Sequence, residues 1–140
     1  FGLKGISGED PEFLVLNESS WDKSLEELVE LLKNLIDIEH FSPKQLSVLV
    51  PHSRDIDLVK GYKYDEESSI ESKKINVSSV YKYKGLENDI VIVVIPSWDS
   101  LNADYILQPL SLAYVGFSRA KTKLYVIGDK KIQKEINWNK

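Results

Sequence analysis

The run Ile90-Val91-Ile92-Val93-Val94-Ile95 constrains this chain more than any other feature. It is β-branched throughout and lacks the polar alternation of a strand with one wet face, so both of its faces must be hidden from water. Strands of that kind lie in the middle of parallel sheets covered by helices on both sides. The run is a strand's length, well short of the roughly 20 residues a membrane span needs. A chain of 140 residues buries roughly two-thirds of its unfolded surface, enough for one core. One domain over 1–140 is therefore predicted.

The flanking segments agree. Phe13-Leu14-Val15-Leu16 lies within Pro11 to Asn17 and reads as a strand. Ser19-Ser20-Trp21-Asp22 has a capping composition, and Leu25, Leu28, Val29, Leu32, Leu35 and Ile36 then recur at helical intervals. They predict a helix from about Asp22 to Ile38. Ser42-Pro43 stops it, and Leu46 to Val50 forms the next buried strand, ended by Pro51, with a short helix over Ser53 to Lys60. Gly61 to Lys74 is polar and without period, which predicts a surface connection. Ile75 to Val80 alternates like a strand, and Lys82 to Asn88 forms a turn region around Gly85. Beyond the central run come a short helix over Leu101 to Leu107 and a longer one from Pro109 or Leu110 to Ala120. Leu124 to Ile127 is a strand stopped by Gly128-Asp129, and Lys130 to Ile136 a last short helix. Strands alternating with helices predict an α/β fold, an open and mostly parallel sheet with helices on both faces.

Composition closes several routes. With no cysteine and only two histidines, His40 and His52, neither a thiolate nor a multi-histidine metal centre can be built, and no metal site is expected. A net charge of −4, from 18 basic and 22 acidic residues, argues against a strongly electrostatic nucleic-acid clamp and leaves room for local patches. The absence of methionine and of a signal-peptide pattern after Phe1 predicts a piece of a longer chain, the lack of cysteine fits a cytoplasmic one, and no apolar run is long enough for a membrane segment. None of the glycines at positions 2, 5, 8, 61, 85, 116 and 128 opens a Gly-Lys-Ser or Gly-Lys-Thr, so there is no phosphate-cradling P-loop. The dinucleotide fingerprint and the G-x-S-x-G elbow are missing too.

Two segments carry information about function. One is Val77 to Val91, with Ser79, Tyr81, Lys84, Gly85, Leu86 and Glu87 leading into the central strand. The other is Leu112 to Lys121, with Tyr114, Val115, Gly116, Ser118, Arg119, Ala120 and Lys121 leading into the next. Together they resemble the fifth and sixth conserved motifs of superfamily 1 helicases of the UvrD/PcrA/Rep type, roughly T-x-H-x-x-K-G-L-E and Y-V-A-x-T-R-A-K. The resemblance covers at least Leu46 to Gly128, and more loosely the helix before it, and it implies the second, C-terminal RecA-like motor domain, which lacks a P-loop in that family.

What the resemblance implies is specific. The parent would be an ATP-dependent DNA helicase or translocase, with ATP and Mg²⁺ held mainly by an N-terminal RecA-like domain and this piece inactive alone. Arg119 would be the arginine finger, stabilising charge on the γ-phosphate, and Glu87 would contact the nucleotide's sugar. Gly85 would sit in a tight turn or allow close approach of the ligand. Ser79, Tyr81 and Lys84 would belong to the single-strand track, Tyr81 standing where the family has histidine. Lys84 serves either the phosphate region or the packing of strand on turn. The family's arginine after the strand of its fourth motif is replaced by Pro51, with Arg54 as a substitute ATP contact. Only about 25 residues separate Pro51 from Val77, where full-size relatives carry a large accessory subdomain. The alternative is a non-catalytic helicase-like docking module for nucleic acid or protein.

Overall fold

The computed structural model describes residues 11–18, 20–63, 69–79, 87–95 and 109–136. They form β1 (Glu12–Leu16), α1 (Trp21–Lys33), β2 (Leu46–Val50), α2 (Ser53–Lys60), β3 (Asn76–Ser79), β4 (Asn88–Ile95), α3 (Pro109–Arg119), β5 (Ala120–Asp129) and α4 (Lys130–Glu135). The strands make one sheet in the order β1-β5-β4-β2-β3, and every pairing is parallel. The central run is the middle strand, as its two apolar faces require.

Those faces feed two separate cores. Ile90, Ile92 and Val94 point to the side covered by Leu25, Leu28, Val29, Leu32 and Leu35 of α1 and its extension. Val91, Val93 and Ile95 point to the side covered by Leu112 and Ala113 of α3 and Ile132 of α4. The alternation is the period of two of any strand, and each fully buried aliphatic side chain contributes about 1.5–3 kcal/mol.

Local chemistry sets most boundaries. Ser20 caps α1, its Oγ accepting the Lys23 amide at 3.1 Å. The helix passes without interruption into a wider π-type turn over Asn34–Ile38 and ends at His40, whose φ is +63°. Asp129 caps α4 by accepting the Ile132 amide at 2.8 Å.

Two boundaries differ from the sequence reading. β4 starts at Asn88. β5 starts at Ala120, directly on the end of α3, and continues through Gly128 to Asp129. Gly128 pairs with Val15 on one side and Ile95 on the other, so two ladders hold it extended against its weak strand propensity. A Cβ there would lie 3.0 Å from Ile132 Cγ2 and 3.2 Å from the Ile95 carbonyl oxygen. Within the 61–74 connection, Ile70 is wholly buried in the α1-side core, a short 3₁₀ turn follows, and Lys63 bridges to Ser69. The connection is thus anchored at its C-terminal half. The helix predicted over Leu101 to Leu107 lies outside the described residues.

Candidate functional site

The site is built by strand register. Asn88 pairs with Ala120 across β4 and β5, so the residues just before them, Glu87 and Arg119, emerge side by side at the N-terminal end of the sheet. Arg119 Nη1 lies 3.9 Å from Glu87 Oε1, with the side chains 27% and 61% exposed. The next pairing is Ile90 with Lys123: two steps along β4 match three along β5. This irregularity lies beside Lys121, and such bulges re-aim side chains locally. At 3.9 Å, with the carboxylate side mostly exposed, the pair is long, and solvated ion pairs of this kind are worth about 0–1 kcal/mol.

Each member is held by packing behind it. Arg119 closes the last turn of α3, where the helix dipole favours a cation. One turn earlier, Gly116 faces the sheet, and a Cβ there would lie 2.5 Å from Val93 Cγ2 and 2.9 Å from Leu124 Cδ1. The glycine therefore lets α3 lie closer to β4 and β5 than any other residue would. The Ser118 hydroxyl donates to the Val115 carbonyl at 2.8 Å, within its own helix.

The chain directly after Glu87 is held from the β2 side. Asn88 Nδ2 donates to the Lys44 carbonyl and to Ser47 Oγ, both at 2.9 Å, and Asn88 Oδ1 accepts the Asp89 amide at 2.9 Å. Gln45 Nε2 donates to Asp89 Oδ2 at 2.8 Å, while Gln45 Oε1 accepts the Ser42 amide at 2.8 Å. Sequence reasoning missed this set. Its one legible sign was Ser42-Pro43-Lys44-Gln45, a capping box, which says nothing of a partner more than 40 residues on.

Arg54 and Ser79 stand elsewhere. Both follow C-terminal ends of parallel strands, Arg54 after β2 and Ser79 at the end of β3. Leu49 is level with Val93, so the end of β2 lies seven strand residues beyond Glu87, roughly 23 Å at about 3.3 Å per residue. The fold does not bring Arg54 to the Glu87–Arg119 pair. Ser79 is fully buried, its Oγ 3.4 Å from that of Ser53, so the hydroxyl faces protein rather than solvent. Beside it, Asp55 accepts the His52 amide at 3.1 Å, and burial pushes its carboxyl above the usual aspartate range against that bond and the nearby His52 and Arg54 charges. Tyr81, Lys84 and Gly85 lie outside the described residues.

The parallel sheet thus brings one residue of each motif, Glu87 and Arg119, together at its N-terminal end. The profile of the UvrD-like helicase C-terminal domain matches residues 15–131, from within β1 into α4. The chain belongs to that family. The match takes in the last two residues of β1 and all of α1. Among solved structures, this UvrD-like domain is similar to the C-terminal domain of a possible DNA helicase from Lactobacillus plantarum WCFS1. The two share 18% identity and a TM-score of 0.61, over 87% of this chain and 75% of the other. At that identity the likeness concerns the fold. No curated protein matches the sequence. Among the described residues, no helix of the domain is long and apolar enough to cross a membrane.

Proposed function

We propose that this is the C-terminal motor domain of an ATP-dependent superfamily 1 helicase or translocase acting on single-stranded DNA. In this reading Arg119 is the arginine finger of an ATP site completed by an N-terminal RecA-like domain of the same parent. The observation that carries it is the Asn88–Ala120 register, which sets Glu87 and Arg119 side by side at one open edge of the sheet.

The pair suits a nucleotide chemically. The guanidinium offers a cation for phosphate, and the carboxylate offers acceptors for ribose hydroxyls. Ribose and γ-phosphate lie at different points of the nucleotide, so the two side chains part on binding, at a cost of about 1 kcal/mol or less. Arg119 then meets negative charge that grows on the transferring phosphoryl group, a contribution of about 10³–10⁵-fold in typical cases. Mg²⁺ supplies charge neutralisation at the phosphates when bound. Among the described residues no three His, Cys, Asp or Glu side chains gather to hold it, and we assign it to the partner domain.

The two described ends of the fifth-motif segment support a coupling role. Ser79 lies at the C-terminal end of the sheet and Glu87 at the N-terminal end. One stretch of chain, carrying Tyr81, Lys84 and Gly85, thus joins an ATP-facing edge to the opposite edge. Aromatic and cationic residues such as Tyr81 and Lys84 suit stacked bases and phosphates in a single-strand track.

The test is the single-strand-stimulated ATPase of the full-length parent, wild type against Arg119→Ala, with ATP binding followed in parallel. A fall of about 10³-fold or more with binding largely kept supports the reading. An unchanged rate in an active parent removes the finger, and an inactive wild type points to a docking module.

A further inference from the structure

Resting on the proposed nucleotide role of Glu87, we infer that Asn88 is a positioning residue for nucleotide binding: its carboxamide, seated on the Lys44–Ser47 segment, fixes where Glu87 stands. The geometry uses the amide fully. Both Nδ2 hydrogens are donated, one to the Lys44 carbonyl and one to Ser47 Oγ, each at 2.9 Å. Oδ1 accepts the Asp89 amide at 2.9 Å. Only a primary amide offers two donors and an acceptor in that fork. An aspartate of the same shape would set a carboxylate oxygen against the Lys44 carbonyl.

The second anchor, Gln45 to Asp89 at 2.8 Å, clamps the next residue to the same turn. Gln45 is itself fixed by accepting the Ser42 amide. On the opposite side the Asn88 backbone pairs with Ala120 of β5. The entrance to β4 is therefore held laterally from both neighbouring strands, and Glu87 is the first residue outside the clamp. Its side chain is the more exposed of the pair, 61% against 27% for Arg119, and makes its described contact at 3.9 Å. With so little holding the carboxylate itself, its placement comes from the backbone at Asn88. A preorganised acceptor gives affinity that a wandering one loses to ordering entropy.

The experiment is a double-mutant cycle on the ATP KM of the full-length parent, at saturating single strand, with Asn88→Ala, Glu87→Ala and both. Asn88→Ala is expected to raise KM about tenfold, the scale of one or two hydrogen bonds, with kcat changed less than about twofold. In the Glu87→Ala background the same substitution is expected to change KM by less than about twofold, because its route is gone. Ser47→Ala removes one acceptor without touching the motif, and keeps the question open to test if Asn88→Ala folds poorly. It is expected to raise KM about threefold, again only when Glu87 is present. Effects of Asn88→Ala or Ser47→Ala that multiply with Glu87→Ala, or that fall on kcat instead, show a merely structural amide and overturn the inference. If Glu87→Ala raises KM and Asn88→Ala does not, the positioning role fails while the nucleotide role of Glu87 stands. If Glu87→Ala itself leaves KM unchanged, the nucleotide role fails and takes the inference with it.

Discussion

Gly116 shows how much a single missing methyl group does here. Alanine at this position gains about 1 kcal/mol of helix propensity, yet its Cβ would lie 2.5 Å from Val93 Cγ2 and 2.9 Å from Leu124 Cδ1, both on buried side chains. Overpacking of that kind costs about 1–3 kcal/mol. Gly116→Ala is therefore expected to lower stability by about 1 kcal/mol in urea unfolding. It should also slow the parent's ATPase, because α3 must lift off the sheet one turn from Arg119. A stabilised variant with unchanged turnover would show that the close approach is not needed. Asp55 offers a second test at this scale. Its folded pKa is raised by burial, so near and above its ordinary value the native state binds more protons than the unfolded one. Stability then falls as pH rises from below about 4 through the raised folded value. Asp55→Asn keeps an acceptor for the His52 amide and removes that fall, so its advantage should be small at low pH and level off above that range. Parallel pH curves for the two proteins would contradict this. Arg119 and Glu87 are singled out by the sequence because they sit inside motifs. Asn88 is not, because its partners lie 41 and 44 residues away and no local pattern encodes them.

At the scale of elements, periodicity carried the reading and tertiary pairing supplied the corrections. α1 was legible from its stripe of Leu25, Leu28, Val29, Leu32 and Leu35, all buried, and β4 from being apolar on both faces. The extent of β5 was not, since Gly128 normally ends a strand and is kept extended here by neighbours on both sides. Nor was the burial of Ile70, a lone apolar residue in a polar stretch whose place in the core depends on chain far away in sequence. Because β4 divides the two cores, Ile92→Ala and Val93→Ala should both destabilise the domain although they face opposite helices. The expected losses are about 2–5 kcal/mol for Ile92→Ala and somewhat less for the smaller valine. Val15→Ala, on the partly exposed edge strand, should cost under about 1 kcal/mol. Urea unfolding midpoints at constant m-value check the contrast, and an equal effect at Val15 would count against the layered core.

The described residues form one sheet whose N-terminal end carries Glu87 and Arg119 and whose C-terminal end carries Ser79. This polarity follows from every strand being parallel, which the alternation of strands and helices already implied. What the sequence could not supply was register, and register decides that Glu87 meets Arg119 while the end of β2, after which Arg54 comes, lies roughly 23 Å from Glu87. In the proposed reading the nucleotide of Arg119 is delivered by another domain, so the isolated chain should show negligible ATPase with or without single-stranded DNA. Turnover by the purified chain that depends on Arg119 would contradict the two-domain site. The most direct measurement of the central claim is the affinity of the full-length parent for ADP with aluminium fluoride, a mimic of the transferring phosphoryl group, beside its affinity for ADP alone. Arginine-finger chemistry acts on the transition state more than on the ground state. The expected result is that Arg119→Ala loses at least about a hundredfold in analogue affinity and less than about threefold in ADP affinity. Equal losses for both ligands, or none for either, would contradict it.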